Sequence, residues 1–368
     1  MDPLKVPDQL PSLDHEVIVQ LEEVHFAVEH VDTTPRSHEI LTYHRIAKAE
    51  EIRERIQCAS IAIVTQACIT AESLGEAPYL YDDTRRPREF ADLQLRKCII
   101  TPTAGTNHID LDECKRRGIK VAKCPGSTSP AAAEHALSLY FAARRKTVML
   151  HNDIRAVDEN GENLWKRQHS IALKMQTANE RPPCSIEEEV AGIIGHGHIG
   201  KRLETLCTAL GMKVLIAERK NEAPDRNVVN ELTARTPFGE VMKTATVLFI
   251  CCTSNSGTQN LIDVAELSAM RPEAIIVNIS RGGVLNTQEV VKALRERRIS
   301  GVAADVFDQE PASTEEDSAF LAEDTKDLNL TFSPHVGYFS TKTMATMKDM
   351  VRERIKWFIN GDFSKFEV

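Results

Sequence analysis

Long apolar runs are missing from this 368-residue chain. No uninterrupted stretch reaches the roughly 18 residues that a membrane-spanning helix requires, and residues 1–11 contain no charged segment leading into an apolar one. Neither a membrane partner nor a secretory leader is read. Paired cysteine motifs are missing as well: the nine cysteines are odd in number and scattered without C-x-x-C spacing, which argues against a disulfide framework or a zinc knuckle. No metal-ligand set is read, and reduced thiols in a cytoplasmic protein are expected. Nor is there a basic cluster. Lys and Arg are dispersed over a chain of formal net charge −9, so the electrostatic footprint of a nucleic-acid binder is lacking.

What is present is enough apolar material, 42% of residues, to build two cores of ordinary size. Short β-rich segments at Glu16–Gln20, Ile61–Thr65, Cys98–Thr101 and Lys120–Ala122 alternate with helical patterns, the rhythm of α/β layers around a parallel sheet. From Pro130, the stretch PAAAEHALSLYFAARRKTVML carries small and apolar residues at helical spacing and reads as one long helix. A polar region from Val157 to Glu189 interrupts the pattern as a surface excursion. A second series then begins: strand VAGII at Val190, a helix from His198, strand KVLIA, a helix around Phe238–Lys243, strands TVLFICC and AIIVNI, a helix from Thr287 and strand GVAADVF. That order predicts a doubly wound nucleotide-binding domain. The last helix, Thr343 to Ile359, has no following strand to join, so a discontinuous architecture is expected, with residues 1–124 and 338–368 forming one domain and residues 125–337 the other.

The strand VAGII feeds directly into Gly195-His196-Gly197-His198-Ile199-Gly200, and apolar residues at Ile199, Leu203, Leu206 and Leu210 continue it as a helix. A glycine fingerprint is informative in that strand-to-helix setting. Gly195 permits the tight turn, Gly197 lets the backbone approach a pyrophosphate, and Gly200 allows close helix–strand packing. His196 and His198 either add charge at the phosphates or are ordinary loop histidines. Glu218, 23 residues after Gly195 and just beyond the next strand, suits an acceptor for an adenosine ribose and favours NAD. Arg219 and Lys220 beside it are suited to a 2′-phosphate, so NADP stays open. Cys251 and Cys252, closing the strand TVLFICC, read as core or cofactor-facing packing residues.

Three polar residues follow at strand ends. Arg281 stands immediately after AIIVNIS, where ligands of open α/β sheets bind. Asp305 lies at the edge of GVAADVF with Glu310 just before Pro311, and His335 sits in SPHVG. Singly, each has an ordinary structural explanation; after a nucleotide fingerprint they form an ordered set.

With these motifs, from about Glu50 to Asp362, the chain resembles the D-isomer-specific 2-hydroxyacid dehydrogenases. The elements that carry the likeness are the fingerprint, VNISRGGVLN, GVAADVFDQEP, SPHVG and the stretch AGTNHIDLDECKRRGIKVAKCPGSTSPAAAEHAL from Ala104. The resemblance implies two Rossmann-like lobes, a doubly wound nucleotide-binding domain inserted in a flavodoxin-like substrate domain, and hydride transfer between a nicotinamide cofactor and a 2-oxo or D-2-hydroxy acid such as hydroxypyruvate or glyoxylate. It further implies that Arg281 forks the substrate carboxylate and carbonyl, that His335 is the general acid and base, and that Glu310 fixes the imidazole tautomer and raises its proton affinity. Asp305 would accept from the nicotinamide end. The cofactor contacts it implies are Gly195, Gly197, His198, Ile199, Gly200, Glu218, Arg219, Lys220, Cys252, Thr253, Ile279, Arg281, Asp305, His335 and Gly337. For substrate they are Thr103, Ala104, Gly105, Arg281, His335 and Tyr338, with the backbone amides around Ala104 and Gly105 completing a carboxylate cradle. Formate-oxidising relatives have glutamine where Glu310 stands, which disfavours formate.

The chain departs from the family pattern at Lys123-Cys124, where an asparagine often precedes Pro-Gly, and at Thr103, where glycine is common; the substrate loop is expected to differ accordingly. Tyr338 and Phe339 either wall a larger side-chain pocket or pack at the start of the last helix. Trp165 falls in a region that in hydroxypyruvate reductases reaches the partner subunit's site, and a homodimer built through the nucleotide lobe is implied. The alternative reading is a nucleotide-sensing corepressor-like binding protein of the same fold, distinguished by an absence of turnover with any 2-oxo acid.

Overall fold

Short continuous runs of mainly aliphatic residues, buried on both faces, build two parallel sheets. A computed structural model describes residues 3–24, 26–45, 48–74, 97–220 and 235–368, and the chain divides into two compact units, residues 1–128 with 340–368 and residues 129–339.

In the first unit, strands β1 (His15–Gln20), β2 (Ser37–Thr42), β3 (Ile61–Ile63), β4 (Lys97–Thr101) and β5 (Ile119–Lys123) lie in the order β2-β1-β3-β4-β5, every pairing parallel. This is the flavodoxin-like order, whose ligand crevice lies beyond the carboxyl ends of the strands. Helices α1 (Ala49–Ile56) and α2 (Leu111–Arg116) belong to it, as does the final helix α10 (Thr341–Asn360). Ser340 caps α10 by accepting from the Thr343 amide at 3.2 Å, and Gly361 closes it with φ +72°. β2 was not foreseen: its SHEILT sequence is only partly buried and carries too little apolar alternation to stand out.

In the second unit, β6 (Val190–Ile194), β7 (Lys213–Ile216), β8 (Val247–Ile250), β9 (Ile275–Asn278), β10 (Gly301–Ala304) and β11 (Leu330–Phe332) form a parallel sheet ordered β11-β10-β9-β8-β6-β7. Thr236 bridges in parallel to Ala217 beyond the β7 edge, so the chain reverses its winding between β6 and β8, the switch point of a dinucleotide-binding sheet. Along β8, Val247 and Phe249 enter one core and Leu248 and Ile250 the other, as a sheet covered on both faces demands. Helices α3 (Ser129–Arg144), α4 (Thr147–Arg155), α5 (Leu164–Gln168), α6 (His198–Ala209), α7 (Phe238–Thr244), α8 (Val264–Ala269) and α9 (Thr287–Arg295) complete this unit.

The single long helix expected from Pro130 is two. Lys146 adopts a left-handed conformation, φ +48°, between α3 and α4. The break follows from anchoring. Arg144 is buried against Glu189 at 2.6 Å and donates to the carbonyls of Thr246 and Glu273, while Lys146 Nζ donates to the Gln176 carbonyl at 2.6 Å. No glycine or proline marks the position, so helical periodicity runs across it unbroken. Among the described residues no helix is long and apolar enough to cross a membrane.

Candidate active site

At the carboxyl edge of the second sheet, β6 turns into α6 through the glycine fingerprint. Gly195 has φ +91°, and a Cβ there would lie 2.6 Å from the Cys252 backbone; a Cβ at Gly200 would lie 2.1 Å from the Gly195 carbonyl oxygen. Both positions therefore exclude side chains for the turn's own packing. Gly197 differs: it caps α6, and a Cβ there meets no atom of the described residues within 4 Å. The first amides of α6 lack intrahelical acceptors and carry the positive end of the helix dipole beside that open space. An absent side chain that the protein does not need is what a closely approaching pyrophosphate requires, so the loop fits the phosphates of a dinucleotide.

The other predicted nucleotide residues differ in their exposure and in their protein partners. His198 is exposed and Ile199 half-buried against the core, whereas His196 Nε2 is 2.7 Å from Glu204 Oε2. Glu218 follows β7 and is half-buried, its amide bonded to the Thr236 carbonyl at 2.9 Å. Arg219 beside it is exposed. Lys220 Nζ lies 2.8 Å from Glu266 and donates to the Leu261 carbonyl at 3.2 Å. Cys251 donates its thiol to the Gly195 carbonyl at 3.0 Å, and burial raises the thiols of both Cys251 and Cys252 above the ordinary range. Thr253 is exposed and Ile279 packs on the core.

Arg281 leaves β9 in an extended conformation, its Nη1 donating to the Ser280 carbonyl at 2.7 Å. Asn278, 1% exposed, organises this turn: Nδ2 donates to the Arg281 carbonyl at 2.9 Å while Oδ1 accepts from the Ser280 amide and hydroxyl. A Cβ at Gly282 would fall 1.9 Å from the Phe307 carbonyl oxygen, so only glycine lets the arginine turn press against the segment carrying Glu310.

Glu310 Oε2 is 2.5 Å from His335 Nδ1, and its Oε1 accepts from the Phe307 amide at 3.0 Å. Burial by itself would raise the Glu310 carboxyl, but the histidine bond and charge, the Phe307 amide and the Arg281 guanidinium outweigh it and hold it below its ordinary value. An ionised carboxylate only accepts, so Nδ1 carries a proton and His335 offers Nε2 for chemistry. His335 itself has φ +52°.

Asp305, 4% exposed, accepts from the Ser333 hydroxyl at 2.6 Å and from the amides of Val336 and Gly337 at 3.0 and 2.8 Å, with His135 Nε2 at 3.3 Å. Burial opposes its charge, yet the bonds from His135, Ser333, Gly337 and Val336 prevail and lower its carboxyl. A Cβ at Gly337 would strike Asp305 Oδ2 at 2.8 Å and His135 at 2.9 Å. Tyr338 is partly buried, and burial followed by the Asp305 charge raises its phenol; Phe339 is exposed and meets Tyr338 edge-on.

Thr103, Ala104 and Gly105 belong to the first unit, at the carboxyl end of β4. Thr103 Oγ1 bonds Thr101 Oγ1 at 2.8 Å and donates to the Gly105 carbonyl at 2.7 Å, bending the loop so that Ala104 is exposed. Among the described residues the Ala104 and Gly105 amides have no protein acceptor. Glu22, fully buried, holds the neighbouring loop by accepting from the amides of Thr65, Gln66 and Ala67, and Ile69 ties that loop to His108 and Asp110. Glu22, Asn278, Ser333 and His135 were not singled out in the sequence. Asn278 and Ser333 lie inside two of the informative motifs and His135 inside the helix that follows the substrate loop, while nothing local distinguishes Glu22.

The family described as "D-isomer specific 2-hydroxyacid dehydrogenase, NAD binding domain" matches residues 142–337, more than half of the chain. The chain is 28% identical over 338 residues to a glycerate dehydrogenase from Methylorubrum extorquens, covering 90% of this chain and 94% of the relative. It is 30% identical over 278 residues to a glyoxylate reductase from Pyrococcus furiosus, covering 74% and 76%. A solved D-lactate dehydrogenase from Aquifex aeolicus, complexed with NAD and lactic acid, superposes with a TM-score of 0.65 at 21% identity over 96% of this chain and 99% of that one, a likeness of fold. The chain belongs to the D-isomer-specific 2-hydroxyacid dehydrogenases, oxidoreductases that use NAD and act between 2-hydroxy and 2-oxo acids.

Proposed function

We propose that this enzyme reduces a small 2-oxo acid of the hydroxypyruvate or glyoxylate type to the D-2-hydroxy acid, with His335 as acid, Arg281 as carboxylate anchor and Glu310 as the group that orients the imidazole. The observation that carries this reading is the His335 Nδ1 to Glu310 bond at 2.5 Å. It commits one ring nitrogen to the carboxylate and leaves Nε2 to give a proton to the carbonyl oxygen in reduction, or to take one from the hydroxyl in oxidation. Bound NADH supplies the hydride. Arg281 presents a planar fork for the substrate carboxylate, and in the first unit the amides of Ala104 and Gly105, which have no protein acceptor among the described residues, suit an anion. These amides make the unit of residues 1–128 and 340–368 the substrate domain in this proposal. The loop of Gly195, Gly197 and Gly200, together with His198 and Ile199, holds the pyrophosphate, and Glu218 the adenosine ribose. Cys252, Thr253, Ile279 and Gly337 line the remainder of the nucleotide site, and Tyr338 the substrate side.

NADH is the preferred cofactor in this reading, because Lys220 is engaged by Glu266 and the Leu261 carbonyl. The exposed apolar side chains Phe141, Val148, Ile154, Val157, Trp165 and Leu173 of the second unit support a homodimer through that unit. The nine free thiols and the lack of a membrane-crossing helix among the described residues support a cytoplasmic enzyme. The test is oxidation of NADH and NADPH with hydroxypyruvate, glyoxylate and phenylpyruvate. Turnover of at least one with NADH preferred is expected; tight cofactor binding without turnover of any 2-oxo acid would replace the enzyme by a nucleotide-sensing binding protein.

A further inference from the structure

The carboxylate of Asp305 is already crowded with protein donors, and one of its neighbours is a second histidine. Asp305 Oδ1 accepts from the Ser333 hydroxyl at 2.6 Å and from the Val336 amide at 3.0 Å, and Oδ2 accepts from the Gly337 amide at 2.8 Å. A carboxylate has no proton to give, so the Ser333 hydroxyl proton points at Asp305. Only the lone pairs of Ser333 then face His135 Nε2, 2.7 Å away. That nitrogen must carry a proton, and it lies 3.3 Å from Asp305 Oδ1 as well. The order of donation runs from His135 to Ser333 to Asp305.

The two amides that end on Asp305 belong to the residues immediately after His335, whose own φ of +52° is a conformation that side-chain-bearing residues rarely adopt without support. His135 projects from α3, whose Ala133 and Ala136 pack into the core of the second unit. The bare Gly337 lets the imidazole approach, since a Cβ there would lie 2.9 Å from it. Resting on the acid role proposed for His335, we infer that His135 is a positioning residue of the reaction: through Ser333 and Asp305 it locks the backbone that aims the His335 ring. Glu310 orients that ring from its Nδ1 side, and His135 sets the main chain from which it projects.

His135→Leu and Ser333→Ala each break the relay without touching Glu310 or Arg281. Either change is expected to lower kcat by about tenfold to a hundredfold, the scale of a catalytic group misplaced by about 1 Å, with substrate KM and NADH affinity within about threefold of wild type. His135→Gln keeps an N–H donor at the place of Nε2, and most of the lost kcat is expected to return. Independently of turnover, imidazole ¹⁵N spectra of the intact protein, with His135 assigned by its disappearance in H135Q, are expected to show a proton on Nε2. An unprotonated Nε2, an unchanged kcat in both breaking variants, or a glutamine variant no better than leucine would each overturn the inference. If wild-type protein turned over no 2-oxo acid, the proposed function would fall on that result alone, and the Nε2 measurement would still decide the relay.

Discussion

Replacing Gly197 by alanine separates the demands of the fold from those of the ligand. Its φ of −78° and ψ of −158° suit alanine, and the added methyl meets no atom of the described residues within 4 Å. Stability should stay within about 1 kcal/mol of wild type, because alanine restricts the unfolded chain while being a poorer N-cap than glycine. NADH should feel the methyl directly. Displacing a phosphate from even one charge-assisted N–H bond costs about 1.5–3 kcal/mol, which is roughly a 10- to 150-fold rise in Kd. Gly200→Ala is the contrasting change, since its Cβ would sit 2.1 Å from the Gly195 carbonyl oxygen and 3.1 Å from its carbon. Helix and turn must part, at about 1–3 kcal/mol, with a loss in Tm of roughly 2–4 °C per kcal/mol for a unit of this size. Thermal unfolding without ligand and a fluorescence titration with NADH read the two effects separately. Wild-type NADH affinity in Gly197→Ala, or a loss of Tm equal to that of Gly200→Ala, would refute the assignment of this loop as the pyrophosphate cradle.

His335→Ala is expected to abolish reduction of 2-oxo acids while NADH still binds; more than a few per cent of wild-type kcat would remove the residue from the acid role. Arg281→Lys should lower kcat/KM by at least about a hundredfold, because a point charge replaces a planar fork, and an unchanged value would put the substrate carboxylate elsewhere. Asp305 is held below its ordinary carboxyl value, so it contributes stability above about pH 4, and that contribution is lost as pH falls through its folded value. The urea midpoint of Asp305→Asn should therefore lie below wild type at pH 7, with the gap narrowing as pH falls below about 4; a gap independent of pH would contradict the sign. For a homodimer through the second unit, Leu173→Asp should shift the mass measured by light scattering from dimer towards monomer, and an unchanged dimer would place the interface elsewhere.

Much of the fold was legible because its signals are local. Val190–Ile194 and His198–Ala209 stand where strand composition and helical spacing put them, since a short continuous apolar run or a 3.6-residue apolar period reports burial directly. Gly195, Gly200 and Gly282 carry a different kind of local information, the close approach of one backbone to another. The break at Lys146 escaped notice because its cause is distant: Arg144 reaches Glu189, Thr246 and Glu273, and Lys146 reaches Gln176.

By itself, the amino-acid sequence determined the α/β class, the position of the glycine turn and the candidacy of Arg281, Glu310 and His335, because propensity, periodicity and backbone sterics act between near neighbours. Only the tertiary structure decided the partners. It set Lys220 against Glu266, tied Glu22 to a loop more than 40 residues away, surrounded Asp305 with four donors, and brought His135 to Ser333 across 198 positions of chain. Hydrogen bonds depend on distance and direction in space, and strand order, which no single segment specifies, determines which distant residues acquire either.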